Sequence, residues 1–493
     1  MHQKLIAILS RQQADEILAL RKFVDSPFFN EDAQLGFLLD YYLRYAPSFD
    51  QAEFNDQNAF VLLFPNEAFN APALHKLNSR LFQLTEDFLA HTTLSADEHA
   101  RQVYLLQYYT ARQLSKPFES ILSKAAKALE TRPHRDEDYY KVQLELAQLR
   151  YEFQSLRDSR QGDGYLGEVN EALDLFFVIK KLKQLSWMLA RQRVVYITYR
   201  LSWMDEVMAM LDEPPYSDIP TVQMYRKAIL LLLHPADQQH YENLKNTLEF
   251  NARLLSKREL RLFYTYLENA AKHIYNNKAY PEALFELYSR QLESGVLCPD
   301  GWILHSLYRN VAGVALHLGH FEWAKHFLKQ YAPHVIPESY RSDAYALSLA
   351  ELHFYSCNWD QALELLSNIN PEDIYYKLAQ KSLLSRIYFE KREVLLLENF
   401  LNTFTKFVFD QQKRIAREKV QSYRLFINFL RKLLKILTSD GKRQHLFEHH
   451  LAPRDSVTPK KMVLLKKQMA EAPFFNGKQW LLDQISQYQS GIK

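Results

Sequence analysis

The sequence contains little glycine and almost no cysteine. Glycine occupies 11 of the 493 positions, about 2% where average proteins have roughly 7%. Because tight turns depend on glycine, we expect few of them and no extended β-structure. The two cysteines, Cys298 and Cys357, are too few for a metal-binding cluster. We expect both to be buried as small hydrophobic residues in a reducing compartment.

Long apolar runs are also missing. Residues 5–9 form a run of five apolar residues near the start, which is too short for a secretory signal. The longest apolar stretch, at residues 228–234, is far below the ~20 residues that a bilayer-spanning helix needs. We therefore expect a cytoplasmic protein without a membrane span.

Catalytic signatures are absent from the sequence as well. It has no G-x-S-x-G, no phosphate-binding loop with its lysine, no H-E-x-x-H and no closely spaced cysteine pair. GDGYLG, residues 162–167, has dinucleotide-binding spacing but follows a polar helix end, which favours a loop between helices. HLFEHH, residues 445–450, lies in a basic setting without a second ligand segment, which favours a solvated helix end over zinc. We expect a non-enzymatic protein without cofactor or metal.

The sequence is rich in helix-forming residues and in aromatics, which make up 14% of it. In the second half, four segments repeat a helical-hairpin pattern. The aligned positions, at intervals of 41, 38 and 34 residues, are Ala283, Ala324, Ala362 and Leu396. Twelve residues earlier lie Ala271, Ala312, Ala350 and Leu384. Such periods are typical of stacked helical hairpins, and the two leucines predict a wider fourth hairpin.

This pattern resembles the tetratricopeptide repeat, in which small residues let the two helices of a hairpin approach. The match is best in YRNVAGVALHLGHFEWAKHFLKQYAPHVIP, residues 308–337. The order of segments from LRKFVDSPFFN through KLNSRLFQLTEDFL to WLLDQI is similar to a family of large helical-repeat proteins from Bacteroidota-type bacteria. The resemblance implies fold and compartment and no particular chemistry.

We therefore predict an all-α fold, a right-handed superhelix (α-α solenoid) of helical hairpins that is tetratricopeptide-like in its C-terminal half. Four regions are predicted: an N-terminal helical region at 1–95, a helical array at 96–252, tetratricopeptide-like repeats at 253–408 and a basic C-terminal helical cap at 409–493. Arrays of this kind have a long concave face, and one without catalytic groups suits the docking of a protein segment.

The resemblance implies that the first helix of each hairpin lines this groove. The corresponding residues are Glu268, Lys272, Tyr275, Asn276, Arg309, His317, Glu351, Tyr355, Lys381 and Tyr388. A scaffold or adaptor that binds a protein or peptide segment is the leading hypothesis. The alternative is that these side chains are only exposed to solvent and bind no partner.

A basic segment near the C-terminus supports a second hypothesis. The chain has a net charge of +3, but residues 411–468 hold 15 Lys/Arg against four Asp/Glu. The proposed basic surface comprises Lys413, Arg414, Arg417, Lys442, Arg443, Lys460, Lys461, Lys466 and Lys467. These cations predict binding of nucleic acid or of an acidic protein, unless they are only solvated. The sequence leaves the oligomeric state open.

The phrase Pro-Phe-Phe-Asn occurs twice, at residues 27–30 and 473–476. Because proline disfavours helix at the residue before it, both copies predict a corner between two helices. We expect Asn30 and Asn476 to cap the helices that follow, with Gln479 completing a capping box at the second corner. There we also expect a hydrophobic staple between Phe475 and Trp480.

Overall fold

A computed structural model describes residues 2–157, 164–194, 197–275, 279–438, 459–473 and 475–490. Over these ranges the chain is all-α, as the composition predicts, with one pair of two-residue strands. It divides into two compact units: residues 1–131 with 142–170, and residues 132–141 with 171–493. We call them unit 1 and unit 2. No helix within the described ranges is both long enough and apolar enough to cross a bilayer.

Among the described residues, seven α-helices lie wholly within unit 1, and each is followed by a short connection. They are α1 (Gln3–Leu9), α2 (Ala14–Val24), α3 (Ala33–Arg44), α4 (Asp56–Leu63), α5 (Ala71–Ala96), α6 (Glu98–Ala111) and α7 (Ser115–Glu130). Its core lies where α1 to α4 pack along the long helix α5. Tyr42 is fully buried there, and its hydroxyl donates a hydrogen bond of 2.7 Å to Asn78. Two further helices, α8 (Glu137–Arg157) and α9 (Tyr165–Val194), have residues in both units.

Among the described residues, fourteen α-helices lie wholly within unit 2. They are α10 (Met204–Met210), α11 (Pro220–Leu233), α12 (Gln238–Asn251), α13 (Lys257–Ile274), α14 (Ala279–Glu293), α15 (His305–His317), α16 (Phe321–Tyr331), α17 (Arg341–Tyr355), α18 (Trp359–Ser367), α19 (Ile374–Glu390), α20 (Val394–Asp410), α21 (Arg417–Thr438), α22 (Pro459–Glu471) and α23 (Lys478–Ser490). The strands β1 (Ile303–Leu304) and β2 (Val335–Ile336) pair in parallel, Ile303 with Val335. They join the entry to α15 with the exit from α16.

The four predicted hairpins are α13–α14, α15–α16, α17–α18 and α19–α20, and the two helices of each pack together. Neighbouring first helices also pack, α15 against α17 and α17 against α19. In the first three hairpins five of the six aligned alanines are fully buried: Ala271, Ala312, Ala324, Ala350 and Ala362. The sixth, Ala283, is only half-buried, and the next residue, Leu284, is buried instead. Alanine thus permits close approach of the helices where the repeat pattern predicts it.

Three of these hairpins turn in the same way. The second residue after each first helix has a left-handed backbone, at Gly319 (φ 81°), Cys357 (φ 60°) and Arg392 (φ 62°). The next amide then donates to a carbonyl five residues back: His320 to Ala315, Asn358 to His353 and Glu393 to Tyr388, at 2.8–3.0 Å. This is a Schellman turn, which satisfies the last carbonyls of the helix. Gln113 and Leu114 form the same turn between α6 and α7.

Several local predictions are wrong. In the fourth hairpin Leu397 is fully buried while Leu396 is 45% exposed, so the register there is one residue later than predicted. Cys357 is exposed because it occupies the left-handed turn position, whereas Cys298 is half-buried, and burial raises its pKa to about 11. Neither cysteine is a buried core residue.

The predicted helix caps are wrong as well. Asp32, not Asn30, caps α3 by accepting from the amide of Gln34 at 3.0 Å. α23 begins at Lys478, so Asn476 lies two residues before it, and the Gln479 side chain instead donates to Asp483 at 2.8 Å.

Candidate functional site

The charged side chains on the first helices of the hairpins meet at α15, α17 and α19. Arg309 of α15 donates to Glu351 of α17 at 3.0 Å, and both side chains are mostly buried. The Arg309 guanidinium also lies 4.9 Å from the ring centre of Tyr376 on α19. Its Nε is buried without a hydrogen-bond partner in the described chain. The sequence predicted both Arg309 and Glu351 for the groove, and the structure brings them together.

A second arginine extends this cluster. Arg386 of α19 is buried and lies near the hydroxyl of Tyr355 on α17, where burial raises the pKa of Tyr355 and Arg386 acts in the opposite direction. The Nε of Arg386 has no hydrogen-bond partner among the described residues. Tyr423 of α21 lies among the same charges. Burial raises the pKa of Tyr423, and Arg309 and Arg386 act in the opposite direction. The cluster therefore joins three hairpin helices to the first helix of the C-terminal cap.

The last helix of the cap holds the same face through one carboxylate. Trp480 Nε1 donates to Glu390 Oε1 at 3.0 Å, and Gln484 Nε2 donates to the same oxygen at 2.7 Å. The indole of Trp480 packs edge-on against Phe389, with 5.3 Å between ring centres. We call the side chains of Arg309, Glu351, Tyr355, Arg386 and Glu390 the hairpin face. Trp480 and Gln484 of α23 thus cover the part of the hairpin face that Glu390 forms.

The other predicted groove residues lie elsewhere. Glu268 is buried and accepts from Arg261 at 2.8 Å and from Gln291 at 2.9 Å, inside the α13–α14 hairpin. Lys381 and Tyr388 of α19 contact Phe400 of α20. They therefore lie away from Arg386 and Glu390, which are also on α19. These three side chains therefore serve packing within a hairpin.

The remaining predicted groove residues lie toward the start of the hairpin series. Tyr275 packs edge-on against Tyr241 of α12, with 5.7 Å between ring centres. Lys272 and His317 are exposed, and Asn276 lies outside the described residues. Lys272 is near Lys419 of α21: burial lowers the pKa of Lys419, and Lys272 lowers it further. Lys272 of α13 and Lys419 of α21 therefore repel each other.

Sequence reasoning missed Arg386, Glu390, Tyr423, Trp480 and Gln484. The repeat register selects positions on a hairpin helix, but it carries no information about which face a later segment covers. One signal was present: WLLDQI places Trp480 and Gln484 four residues apart, so both lie on one face of α23.

The described residues of the basic surface are all exposed: Lys413, Arg414, Arg417, Lys460, Lys461, Lys466 and Lys467. Lys466 donates to Ser486 at 3.1 Å, and Lys467 lies 4.0 Å from Glu471. Lys442 and Arg443 lie outside the described residues, as do the histidines of residues 445–450. Among the described residues, no group of three or more metal-ligating side chains is placed to hold an ion.

One buried cluster combines residue types used in catalysis. Lys183 Nζ lies 2.9 Å from Glu137 and 3.5 Å from Glu259, and Tyr225 donates a hydrogen bond to Glu259. Burial raises the pKa of Glu259, partly offset by Lys183. Burial alone would lower the pKa of Lys183, but the two carboxylates raise it. Glu259 is almost fully enclosed, so we interpret the cluster as a buried ion-pair network that joins α9, α11 and α13.

An open cavity of about 730 Å³ lies in unit 1, lined by His2, Gln3, Lys4, Asp56, Ala71, Pro72, Leu74, His75 and Asn78. Burial lowers the pKa of His2. The lining residues include no serine, threonine or cysteine that could act as a nucleophile.

Comparisons with known proteins add no relative: no family model, no curated protein and no solved structure matches the chain.

Proposed function

We propose that the chain is a non-catalytic scaffold or adaptor that binds a protein segment on the hairpin face. In this proposal the hairpins form a tetratricopeptide-like α-α solenoid, related to the Bacteroidota-type family that the sequence resembles, and the hairpin face lies on its concave side. The bound segment takes the place of the chain's own Trp480 and Gln484.

The observation that carries the proposal is the way the face holds the C-terminal segment. One carboxylate, Glu390, accepts from an indole and an amide, while Phe389 supplies apolar contact beside it. Aromatic side chains with a polar tip are the anchors that protein interfaces use most. The unpartnered Nε groups of Arg309 and Arg386 are donors that a carbonyl or carboxylate of a partner would satisfy.

The experiment is a pull-down with the full chain from the source cell, with and without nuclease, followed by mass spectrometry and calorimetry with the recovered protein. We expect a stoichiometric protein that survives nuclease. Replacing Arg309, Tyr355 and Arg386 by alanine should weaken its binding at least about tenfold, because buried interface anchors contribute roughly 1.4 kcal/mol or more each.

The cap provides a test of opposite sign. Trp480→Phe with Gln484→Met removes both hydrogen bonds to Glu390 while keeping apolar volume, so the partner should bind more tightly. A matched control, Lys325→Ala with Lys329→Ala on the exposed side of α16, should leave affinity unchanged. Equal binding by the triple alanine variant, with its fold intact by circular dichroism, would show that the partner does not use this face.

A second candidate function is nucleic-acid binding through the basic surface. The observation that favours it is that its seven described cations are all exposed, on α22, on the segment that leads into α21 and at the first residue of α21. Counterion release then predicts that affinity falls steeply with salt, with each phosphate-contacting cation adding about one to the slope.

The salt dependence of oligonucleotide binding tests this candidate. Neutralising Lys460, Lys461, Lys466 and Lys467 should lower the slope by up to about four. An unchanged slope rules out phosphate contact by α22. Recovery of the pull-down partner only in the absence of nuclease would favour this candidate over the scaffold.

A further inference from the structure

An acidic, partly apolar surface lies around α4 in unit 1. Val61 is 60% exposed and Leu62 41% exposed, and the exposed ring of Phe69 packs against Phe60 beside them. Residues 45–75 contain no lysine or arginine but four acidic residues, Asp50, Glu53, Asp56 and Glu67, all exposed. We call the surface formed by Glu53, Asp56, Val61, Leu62, Glu67 and Phe69 the acidic patch.

The outer side of α22 in unit 2 has the opposite charge and the same kind of apolar centre. Val463 is 57% exposed and Leu464 56% exposed. Met462, Leu465 and Met469 point into the core, which fixes the orientation of the helix. We call the exposed side the basic patch, and it consists of Lys460, Lys461, Val463, Leu464, Lys466 and Lys467.

We propose that the chain associates with a second copy of itself, the acidic patch of one copy contacting the basic patch of the other. Each patch has an exposed valine-leucine pair, and the charges around the two pairs are opposite in sign. Burying the pairs against each other removes aliphatic surface from water while the rim charges pair. Phosphates could pair with the lysines but gain nothing from Val463 and Leu464, so these residues favour a protein over a nucleic acid.

This contact joins two different surfaces, so it is heterologous. A heterologous contact closes into a ring or continues along a chain of copies, unless a two-fold axis lets both pairs form at once. The patches are small, which places the contact in the weak class with dissociation constants of about micromolar or above. This inference goes beyond the proposed function, since it needs neither the hairpin face nor its partner.

The first experiment is sedimentation velocity of the full chain across roughly micromolar to hundreds of micromolar concentrations, the range in which weak contacts titrate. We expect the average mass to rise above that of the monomer with concentration at low salt. The rise should shrink at high salt, because rim charges are screened there. A monomer over the whole range at low salt overturns the proposal.

Charge reversal then identifies the surfaces. Lys460→Glu with Lys461→Glu leaves the basic patch with two charges of each sign, and Glu53→Lys with Glu67→Lys makes both patches basic. Each variant alone should associate at least about tenfold more weakly, because the attraction between the two patches is lost. An equimolar mixture of the two should associate again, since the unaltered acidic patch of one variant then meets the unaltered basic patch of the other. Failure of the mixture to associate contradicts this pairing.

The matched control is Lys413→Glu with Arg414→Glu, which changes the charge of the cap equally but away from α22. It should self-associate like the unaltered chain, and circular dichroism should show all variants folded. Val463→Ser with Leu464→Ser should weaken association without changing charge. If the α22 charge variant loses binding to a single-stranded oligonucleotide while the unaltered chain stays monomeric, the basic patch serves nucleic acid and self-association is wrong.

Discussion

The phrase Pro-Phe-Phe-Asn marks one corner in each unit, and the two corners differ in burial. In unit 1, Phe28 is 87% exposed, and Phe29 stacks on Phe23 with 4.0 Å between ring centres but remains partly exposed. In unit 2, Phe475 is fully buried and stacks on Phe429. Residues 27–30 lie between α2 and α3, and the described residues Pro473, Phe475 and Asn476 lie between α22 and α23. What packs against the corner decides whether it contributes to a core.

The caps differ in the same way. At the first corner, Asn30 closes the turn by donating to the carbonyls of Val24 and Asp32, each at 2.9 Å. At the second, the amide of Asn476 donates to Ser422 of α21, and Gly477 adopts φ 85°. The first corner is thus stabilised by local bonds, and the second by contact with a distant helix.

The largest effect that this comparison predicts is at Phe475. Phe475→Ala should lower the free energy of unfolding by about 3–5 kcal/mol, because it leaves a cavity in a closed core. All six tryptophans lie in residues 171–493, so denaturant unfolding followed by tryptophan fluorescence reports on unit 2. Phe475→Leu should recover most of the loss. The counterpart Phe29→Ala should lower the free energy of unfolding by only about 1 kcal/mol, measured by hydrogen exchange of α2 and α3. If Phe475→Ala and Phe29→Ala lose similar free energies, the two corners do not differ in their contribution to a core.

The next effect is at Gly477. An added Cβ there would lie 2.8 Å from the ring of Phe426, and the left-handed backbone disfavours any other residue. Gly477→Ala should therefore cost about 2 kcal/mol by the same fluorescence measurement. Adding Phe426→Leu should relieve the crowding but not the backbone strain. If the double variant loses as much free energy of unfolding as the two single variants lose together, the ring of Phe426 is not what crowds the added Cβ.

A smaller effect should follow loss of the cap at the first corner. Asp32→Ala removes the acceptor for the amide of Gln34 and the ion pair with Arg80, and should cost about 1 kcal/mol. Asp32→Asn keeps the cap and should cost less. Hydrogen exchange of the first turn of α3 measures this directly. Equal exchange in Asp32→Ala and the unaltered chain would mean that the turn around Asn30 is sufficient.

The smallest effect is expected at Phe28. Because this ring is mostly in water, Phe28→Ser should change the free energy of unfolding by no more than about 0.5 kcal/mol. Circular dichroism during chemical unfolding is the measurement. A loss above about 1 kcal/mol would show that the ring of Phe28 packs against the rest of unit 1.

Much of the helical organisation could be predicted from the sequence. The alanine register located α13 and α15 to α18, because two close helices have room only for small side chains. It is one residue early in α14, where Leu284 is buried in place of Ala283, and in α20, where Leu397 is buried in place of Leu396, since only packing selects between neighbouring apolar residues. For the candidate site, Arg309 and Glu351 followed from the register. Glu390 did not, because its role depends on a segment about 90 residues later in the chain.

The sequence by itself determined an all-α chain, because its periodicity is helical, its glycine is scarce and its prolines separate the helices. It also determined that residues 411–468 are strongly basic, since charge along the chain does not depend on packing. The tertiary structure decided which carbonyls and carboxylates the C-terminal segment reaches. It also decided that Cys357 and Arg392 take the left-handed turn that Gly319 takes. Neighbouring helices fix each hairpin from both sides, and they impose that backbone on residues whose own preference is against it.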